Sequence, residues 1–215
     1  MAHTLLFDTY KCNYEMMDTG KSDWLNTVKD TFDLIGRSDI WNNKGSDFEY
    51  FPVHMIQTQL KERFNSQWEC EINTQLSPDK KLRTYARFKH NFYYENYLCA
   101  MKNVIARKSF ARLRISAHNL PIETGRHRRP NKIPSDQRFC DKCPEIWDEF
   151  HYILACPKFS KPRQKLINSL NDTFVEFINF NEEEKFLFIM GCRDLEIIYA
   201  VESFMSACIE IGGPI

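Results

Sequence analysis

Four side chains of the kinds that bind metal ions fall within 17 residues, in the array C-x2-C-x7-H-x4-C. They are Cys140, Cys143, His151 and Cys156. Two cysteines separated by two residues can present both sulfurs to one ion, and the histidine and the last cysteine then complete a tetrahedron. Because three sulfurs and one nitrogen leave no open coordination position, the array predicts a structural Zn²⁺ ion. The alternative is that the C-x-x-C is accidental and the cysteines are ordinary core residues.

The residues between the ligands predict a short helix over 148–155. Its apolar side recurs every three or four residues and consists of Trp147, Phe150, Ile153 and Leu154. His151 would lie on the second turn of this helix, and Cys156 at its end, where Pro157 prevents easy continuation. The helix would therefore carry one ligand, end at another, and pack its apolar side against a neighbour.

Length and composition favour a helical fold. The chain has 215 residues, of which 43% are hydrophobic and 14% aromatic, so it can bury one substantial core or two small ones. Glycine occurs only seven times, which argues against a turn-rich all-β fold. We predict an all-α fold of about six to eight helices with an inserted CCHC zinc knuckle.

The N-terminal sequence and the cysteine content indicate the expected compartment. The first residues contain no basic region followed by a long apolar run, and no apolar stretch approaches the ~20 residues that cross a bilayer. We therefore expect a nuclear or cytoplasmic protein with no membrane partner. Eight cysteines would suit a disulfide framework only in a secreted protein. Five of them are expected to be reduced core thiols: Cys12, Cys70, Cys99, Cys192 and Cys208.

The formal net charge of zero hides an uneven distribution of charge. Residues 80–142 carry 16 Lys and Arg against 4 Asp and Glu, a balance of +12. Residues 1–79 and 143–215 each have a balance of −6. A concentrated basic block indicates a polyanionic partner, RNA or DNA. The alternative is that the block docks against the acidic flanks within the fold.

Apolar periodicity and the proline and glycine positions divide the chain into four parts. We expect an irregular segment over 1–20 and a helical domain over 21–118. A basic loop region and the zinc knuckle follow over 119–160, and C-terminal helices over 161–215. The last helix is predicted at about 194–210, with a buried side made of Ile197, Ile198, Val201, Phe204, Met205 and Cys208.

A helix predicted over 103–117 combines an apolar side with basic ones. Its apolar side spans an arc of about 60° and consists of Ala106, Phe110, Leu113 and Ala117. The arginines outside that arc are candidates for contact with nucleic acid, and they are Arg107, Arg112 and Arg114. One side of this helix is thus expected to pack and the rest to meet anions.

The segment after this helix is predicted to be a loop, because it contains Pro121, Gly125 and Pro130. Its cations should be accessible to solvent, and a solvated loop without a ligand is the simpler interpretation. Their place beside the predicted zinc knuckle favours nucleic-acid binding instead. The candidate contacts are Arg126, Arg128, Arg129 and Lys132, with Arg138 at the start of the knuckle.

Three segments resemble a known family. They read RLRISAHNLPIETGR at 112–126, RFCDKC at 138–143 and DEFHYILACP at 148–157. These segments are similar to the region downstream of the polymerase domain in reverse transcriptases of non-LTR (LINE-like) retrotransposons, which ends in a reverse-transcriptase zinc-binding domain. The ligands of that domain's CCHC knuckle correspond to Cys140, Cys143, His151 and Cys156. The resemblance extends more loosely over residues 20–175.

The resemblance implies that the chain holds template RNA or target DNA, with a reverse-transcriptase polymerase domain as a further partner. It implies no polymerase activity, because the family's aromatic-x-Asp-Asp motif is absent and the sequence contains no adjacent Asp pair. We therefore expect a detached C-terminal fragment of a retroelement polyprotein, domesticated or degenerate, that is not an enzyme. The alternative function is a zinc-stabilised protein-interaction module. A nuclease is disfavoured, because Asp148 and Glu149 suit the first turn of a helix.

Overall fold

A computed structural model of the chain describes residues 23–42, 53–77 and 80–213. Over these ranges the chain forms helices and no β-strand, apart from one isolated antiparallel bridge between Phe139 and Ile146. The all-α prediction is therefore confirmed for this part of the protein. The chain divides into two units, Met1–Trp68 and Glu69–Ile215. The predicted irregular segment 1–20, with Cys12, lies outside the described residues.

The described residues of the first unit form two helices and the beginning of a third. Helix α1 spans Asp23–Leu34, α2 spans Ser38–Asn42, and α3 spans Val53–Asn73 and ends in the second unit. Gly36 separates α1 from α2 at φ +71°, a left-handed conformation that glycine adopts without steric cost. A small core forms from Leu25, Phe32, Ile40 and Trp41.

The second unit contains the longer C-terminal helices and several short elements. Helices α4 to α7 span Arg83–Ala86, Tyr97–Ala100, Val104–Arg114 and Pro121–His127. Helices α8 to α10 span Ser160–Thr173, Glu182–Met190 and Leu195–Glu210. Short 3-10 helices occur at Ser135–Gln137, Pro157–Phe159 and Val175–Asn179, and a π-helical turn at His151–Ala155.

Helix α10 lies at the centre of the second unit and contacts α8, α6 and α5. All six apolar residues predicted for its buried side are buried. Helix α9 begins with a capping box, in which Asn181 and Glu184 satisfy each other's backbone N–H groups. The C-terminal helices therefore form where their apolar patterns and caps predict them.

Helix α6 forms where it was predicted, but it ends earlier than expected. The Asn103 side chain caps it by accepting from the N–H groups of Ile105 and Ala106. Phe110 and Leu113 are fully buried as predicted. The helix ends at Arg114, because Ser116 takes a positive φ of 51°. The predicted extension to 117 is wrong, and the side chain of Ala117 is exposed.

Two further expectations are corrected in this unit. Residues 121–127, predicted as loop, form helix α7, because Pro121 suits the first helical turn and lacks only an N–H that would be unpaired there. Among the cysteines expected in the core, Cys192 and Cys208 are buried, whereas Cys70 and Cys99 are exposed.

Candidate metal centre

A short hairpin over residues 138–147 positions the first two candidate ligands. Its two sides are joined by Cys140 N–H donating to Glu145 O at 2.8 Å and by Trp147 N–H donating to Arg138 O at 2.9 Å. Within the turn, Lys142 N–H donates to the Cys140 Sγ at 3.4 Å. The backbone therefore holds Cys140 in place and already offers a donor to its sulfur.

A helical turn that begins after Asp148 positions the other two ligands. The Asp148 carboxylate accepts from His151 N–H at 2.8 Å and so caps the turn. At its far end, Cys156 N–H donates to His151 O at 2.7 Å, five residues back, which makes the turn π-helical. A helical segment is therefore present where a helix over 148–155 was predicted, but its residues His151–Ala155 form a π-helical turn instead of a regular α-helix. Cys156 is extended because it precedes Pro157, which disfavours helical backbone in the residue before it.

Three of the four predicted ligands meet in a buried group that can hold a metal ion. The donor atoms of Cys140, His151 and Cys156 all lie within 4.8 Å of one another. The sulfurs of Cys140 and Cys156 are 3.9 Å apart, and all three side chains are buried. The hairpin and the π-helical turn thus bring together Cys140 and Cys156, which are 16 positions apart in the chain.

The fourth predicted ligand lies beside this group. The sulfur of Cys143 is 3.3 Å from Nε2 of His151, and its side chain is half-buried. Cys143 is not one of the three residues whose donor atoms lie within 4.8 Å of one another. The structure therefore places Cys143 next to the cluster, with its sulfur in contact with one member.

Burial affects the protonation of the cluster. It raises the pKa of Cys156 to about 11, and the neighbouring Cys140 sulfur acts in the same direction. Burial also lowers the pKa of His151. The imidazole is therefore neutral at pH 7, as metal binding requires, while Cys156 retains its proton until a cation favours the thiolate.

A buried polar network that the sequence did not reveal anchors the π-helical turn. Glu149 accepts from both the Arg83 guanidinium, at 3.0 and 3.1 Å, and the Ser116 hydroxyl, at 2.6 Å. His118 Nε2 lies 2.9 Å from the same carboxylate. Burial opposes ionisation of Glu149, but these donors and the Arg83 charge outweigh it and lower its pKa to about 2. The network joins the segment that carries His151 and Cys156 to α4 and to the chain after α6.

The side chains of this network use their polar groups on one another and on the backbone, which indicates a structural role. The other ring nitrogen of His118 accepts from Leu120 N–H at 3.2 Å, so both of its nitrogens are occupied. Arg83 also contacts Glu123, which in turn binds Arg126 at 3.2 Å. Arg83 and Glu149 are 66 residues apart, so neither spacing nor periodicity could have indicated this pairing.

The predicted nucleic-acid contacts fall into two groups. Four of them are exposed, and their side chains make no hydrogen bond or ion pair within the described ranges: Arg112, Arg128, Arg129 and Lys132. Arg107 is half-buried and donates to Met101 O at 2.9 Å. Arg126 is half-buried and paired with Glu123. Three of the four exposed cations therefore lie in residues 128–132, directly after α7, and we call this segment the cationic loop.

Two of the predicted nucleic-acid contacts are wrong, because their guanidinium groups are bound within the protein. Arg114 is only 1% exposed, pairs with Glu95 at 2.8 Å and is surrounded by aromatic rings, so it cannot reach a phosphate. Arg138 directs its guanidinium inward, onto the backbone carbonyls of Ile122 and Ile133. Arg114 lies beside the apolar side of α6, where sequence alone does not distinguish a solvated cation from a buried one.

Two wider observations complete the description of the site. No helix in residues 23–42, 53–77 and 80–213 is long and apolar enough to cross a membrane. Comparison of the chain with protein-family models, with curated proteins and with solved structures finds no match in any of the three.

Proposed function

We propose that this chain is a zinc-stabilised helical module that binds RNA or DNA through its cationic loop. One observation carries the proposal: the hairpin over 138–147 serves both the ligand cluster and the loop. It contributes Cys140 and Cys143 to the cysteine–histidine group, and its Arg138 is bound to Ile133 at the end of the loop. A structural metal ion would therefore fix the part of the chain that presents the cations.

The donor set fits Zn²⁺. Tetrahedral zinc with Zn–S near 2.3 Å and Zn–N near 2.0 Å places two sulfurs about 3.8 Å apart and a sulfur and nitrogen about 3.5 Å apart. The Cys140–Cys156 distance is 3.9 Å and the Cys143–His151 distance is 3.3 Å. Cys140, Cys143, His151 and Cys156 would hold the ion, after a small inward shift of Cys143, and would leave no position for a substrate.

The cationic loop suits the backbone of nucleic acid. Arg128, Arg129 and Lys132 are exposed and, within the described part of the chain, unpaired. Arginine and lysine bind phosphates without regard to base sequence, and each contact releases counterions. Arg112 on α6 is a further exposed cation in the same basic block.

The resemblance to the zinc-binding region of non-LTR retrotransposon reverse transcriptases supports the same function. On this proposal the module holds template RNA or target DNA beside a polymerase domain and has no polymerase activity of its own. The matching residues are the four ligands and the segments around them, at 138–143 and 148–157.

The salt dependence of binding tests the proposal. The triple variant Arg128→Ala, Arg129→Ala, Lys132→Ala should weaken binding to unrelated sequences of RNA and DNA. Because each phosphate contact contributes about −0.7 to −0.9 to the slope of log K against log salt, the slope should become shallower by roughly two to three units. The matched control removes three exposed lysines outside the basic block, Lys61, Lys161 and Lys165, and should leave the slope unchanged.

The second candidate is a protein-interaction module. Val175 and Ile178, in the 3-10 turn Val175–Asn179, are 76% and 60% exposed, which is unusual for neighbouring aliphatic side chains. Zinc-loaded, folded protein that binds neither RNA nor DNA at low salt would favour this candidate over the first.

A further inference from the structure

The side chain of Arg138 bridges the two ends of the chain segment that contains the cationic loop. Its Nη1 donates to Ile122 O, in the first turn of α7, at 2.5 Å. Its Nε and Nη2 both donate to Ile133 O, immediately after the loop, at 2.9 and 2.7 Å. One guanidinium therefore ties the beginning of α7 to the far end of the loop.

Backbone hydrogen bonds close the same arrangement. Ile133 N–H donates to Gly125 O at 3.0 Å, across the base of the loop. Ile122 N–H donates to Trp147 O at 3.3 Å, and Trp147 N–H donates to Arg138 O. The hairpin that carries Cys140 and Cys143 thus binds both backbone groups of Ile122, the N–H through Trp147 O and the carbonyl through the Arg138 side chain.

Gly125 leaves room for this arginine. A Cβ at position 125 would lie 2.8 Å from both Cδ and Nε of Arg138, closer than side-chain carbons approach one another in proteins. Gly125 lies inside α7 and outside the left-handed region, so the backbone itself would accept alanine. The absence of a side chain at 125 therefore serves the placement of Arg138.

We propose that Arg138 is a positioning residue that couples the metal-binding hairpin to the cationic loop. The metal ion would fix the hairpin, the hairpin would fix Arg138, and Arg138 would hold the loop in the form that meets phosphates. The guanidinium uses its donors on main-chain carbonyls, so its role is to reduce the conformational freedom that the loop loses on binding. This inference rests on the proposed function.

The two possible roles of Arg138 predict different salt behaviour. Loss of a phosphate contact reduces the slope of log K against log salt by about one unit. Loss of loop positioning lowers affinity by a constant factor at every salt concentration, because the same phosphates are neutralised in the complex. We expect Arg138→Met to weaken binding roughly tenfold with an unchanged slope. The matched control Arg128→Met, which removes one exposed loop cation, should reduce the slope.

Gly125→Ala provides a second variant that keeps every charge. The added methyl group should displace Arg138, so binding should weaken by a similar factor and again with an unchanged slope. Alanine is the better helix former by about 0.5–1 kcal/mol, so the variant should remain folded. Melting curves of both variants show whether the effect on affinity is separate from stability.

Two probes complete the test, a short mixed-sequence DNA duplex and single-stranded RNA of the same length. The affinity for each is measured with zinc-loaded protein and with protein from which a chelator has removed the zinc. Wild-type protein should bind at least one probe more tightly with zinc, and Arg138→Met should remove most of that difference. If Arg138→Met and Gly125→Ala bind the probes as tightly as the wild type, the coupling role alone is overturned. A slope reduced by one unit in Arg138→Met would overturn it as well. Wild-type protein that binds neither probe would instead contradict the proposed function.

Discussion

The guanidinium of Arg114 lies 2.8 Å from the carboxylate of Glu95, inside the second unit and almost completely removed from solvent. Four aromatic rings lie within 6 Å of its central carbon, those of Tyr85, Phe88, Tyr97 and Phe110. Lys89 also pairs with Glu95, at 2.8 Å. Glu95 therefore compensates two buried cations at once, and the cluster stabilises the fold instead of meeting a ligand.

Removal of the Glu95 charge should destabilise the protein strongly. Glu95→Gln would leave the buried cations of Arg114 and Lys89 without a counter-ion, which costs on the order of 3 kcal/mol in the free energy of unfolding. Urea unfolding at pH 7 measures the loss. The exposed carboxylate of Glu176 gives a matched control, and Glu176→Gln should change stability by less than about 0.5 kcal/mol.

The same pair predicts a dependence of stability on pH. Burial opposes ionisation of Glu95, but hydrogen bonds from Arg114 and Lys89 outweigh it and hold its pKa below the usual 4.5. A carboxyl group with a lowered pKa in the folded state contributes stability above its unfolded pKa and loses it as the pH falls through its folded pKa. The stability difference between wild type and Glu95→Gln should therefore be constant above pH 4.5 and shrink below it. A difference that persists unchanged in acid would contradict this assignment.

Helix α6 provides a test of orientation. Leu113 is fully buried and Arg112 is exposed, although they are neighbours in the chain. Leu113→Ala should reduce the free energy of unfolding by about 2–5 kcal/mol. Arg112→Ala should change it by no more than about 0.5 kcal/mol. Equal effects of the two changes would show that the helix is rotated from the arrangement described.

Much of the second unit could be predicted from sequence, because its elements are defined by local patterns. The buried side of α10 follows a helical repeat, and the glutamates that begin α9 suit the positive end of a helix dipole. The cluster of Cys140, His151 and Cys156 follows from ligand types and spacing, since residues close in the chain can meet without knowledge of the fold.

The remaining features depend on contacts distant in the chain. Arg114 was predicted at the surface because it lies outside the apolar arc of α6, but Glu95 and the aromatic rings of other elements enclose it. Helix α7 was predicted as a loop because Pro121 and Gly125 are turn formers by composition. Their actual roles, a first-turn proline and a space for Arg138, become visible only when residues 121–138 are assembled.

Loss of a ligand should release the metal ion without unfolding the helical core. Cys143→Ser and His151→Ala should each lower the zinc content per chain, measured by elemental analysis of purified protein. The hairpin contributes Cys140 and Trp147 to the core around α10, but most of that core comes from other elements, so the helical circular dichroism signal should be largely retained. Cys99→Ser, at an exposed thiol outside the cluster, is the control and should keep its zinc. Full zinc retention in both ligand variants would exclude the assignment.

X-ray absorption at the zinc edge of the purified wild-type protein tests the four-ligand centre most directly. Coordination by Cys140, Cys143, His151 and Cys156 predicts one zinc ion per chain with three sulfur neighbours at about 2.3 Å and one nitrogen neighbour at about 2.0 Å. A metal-free protein, or zinc surrounded only by oxygen and nitrogen, would contradict it.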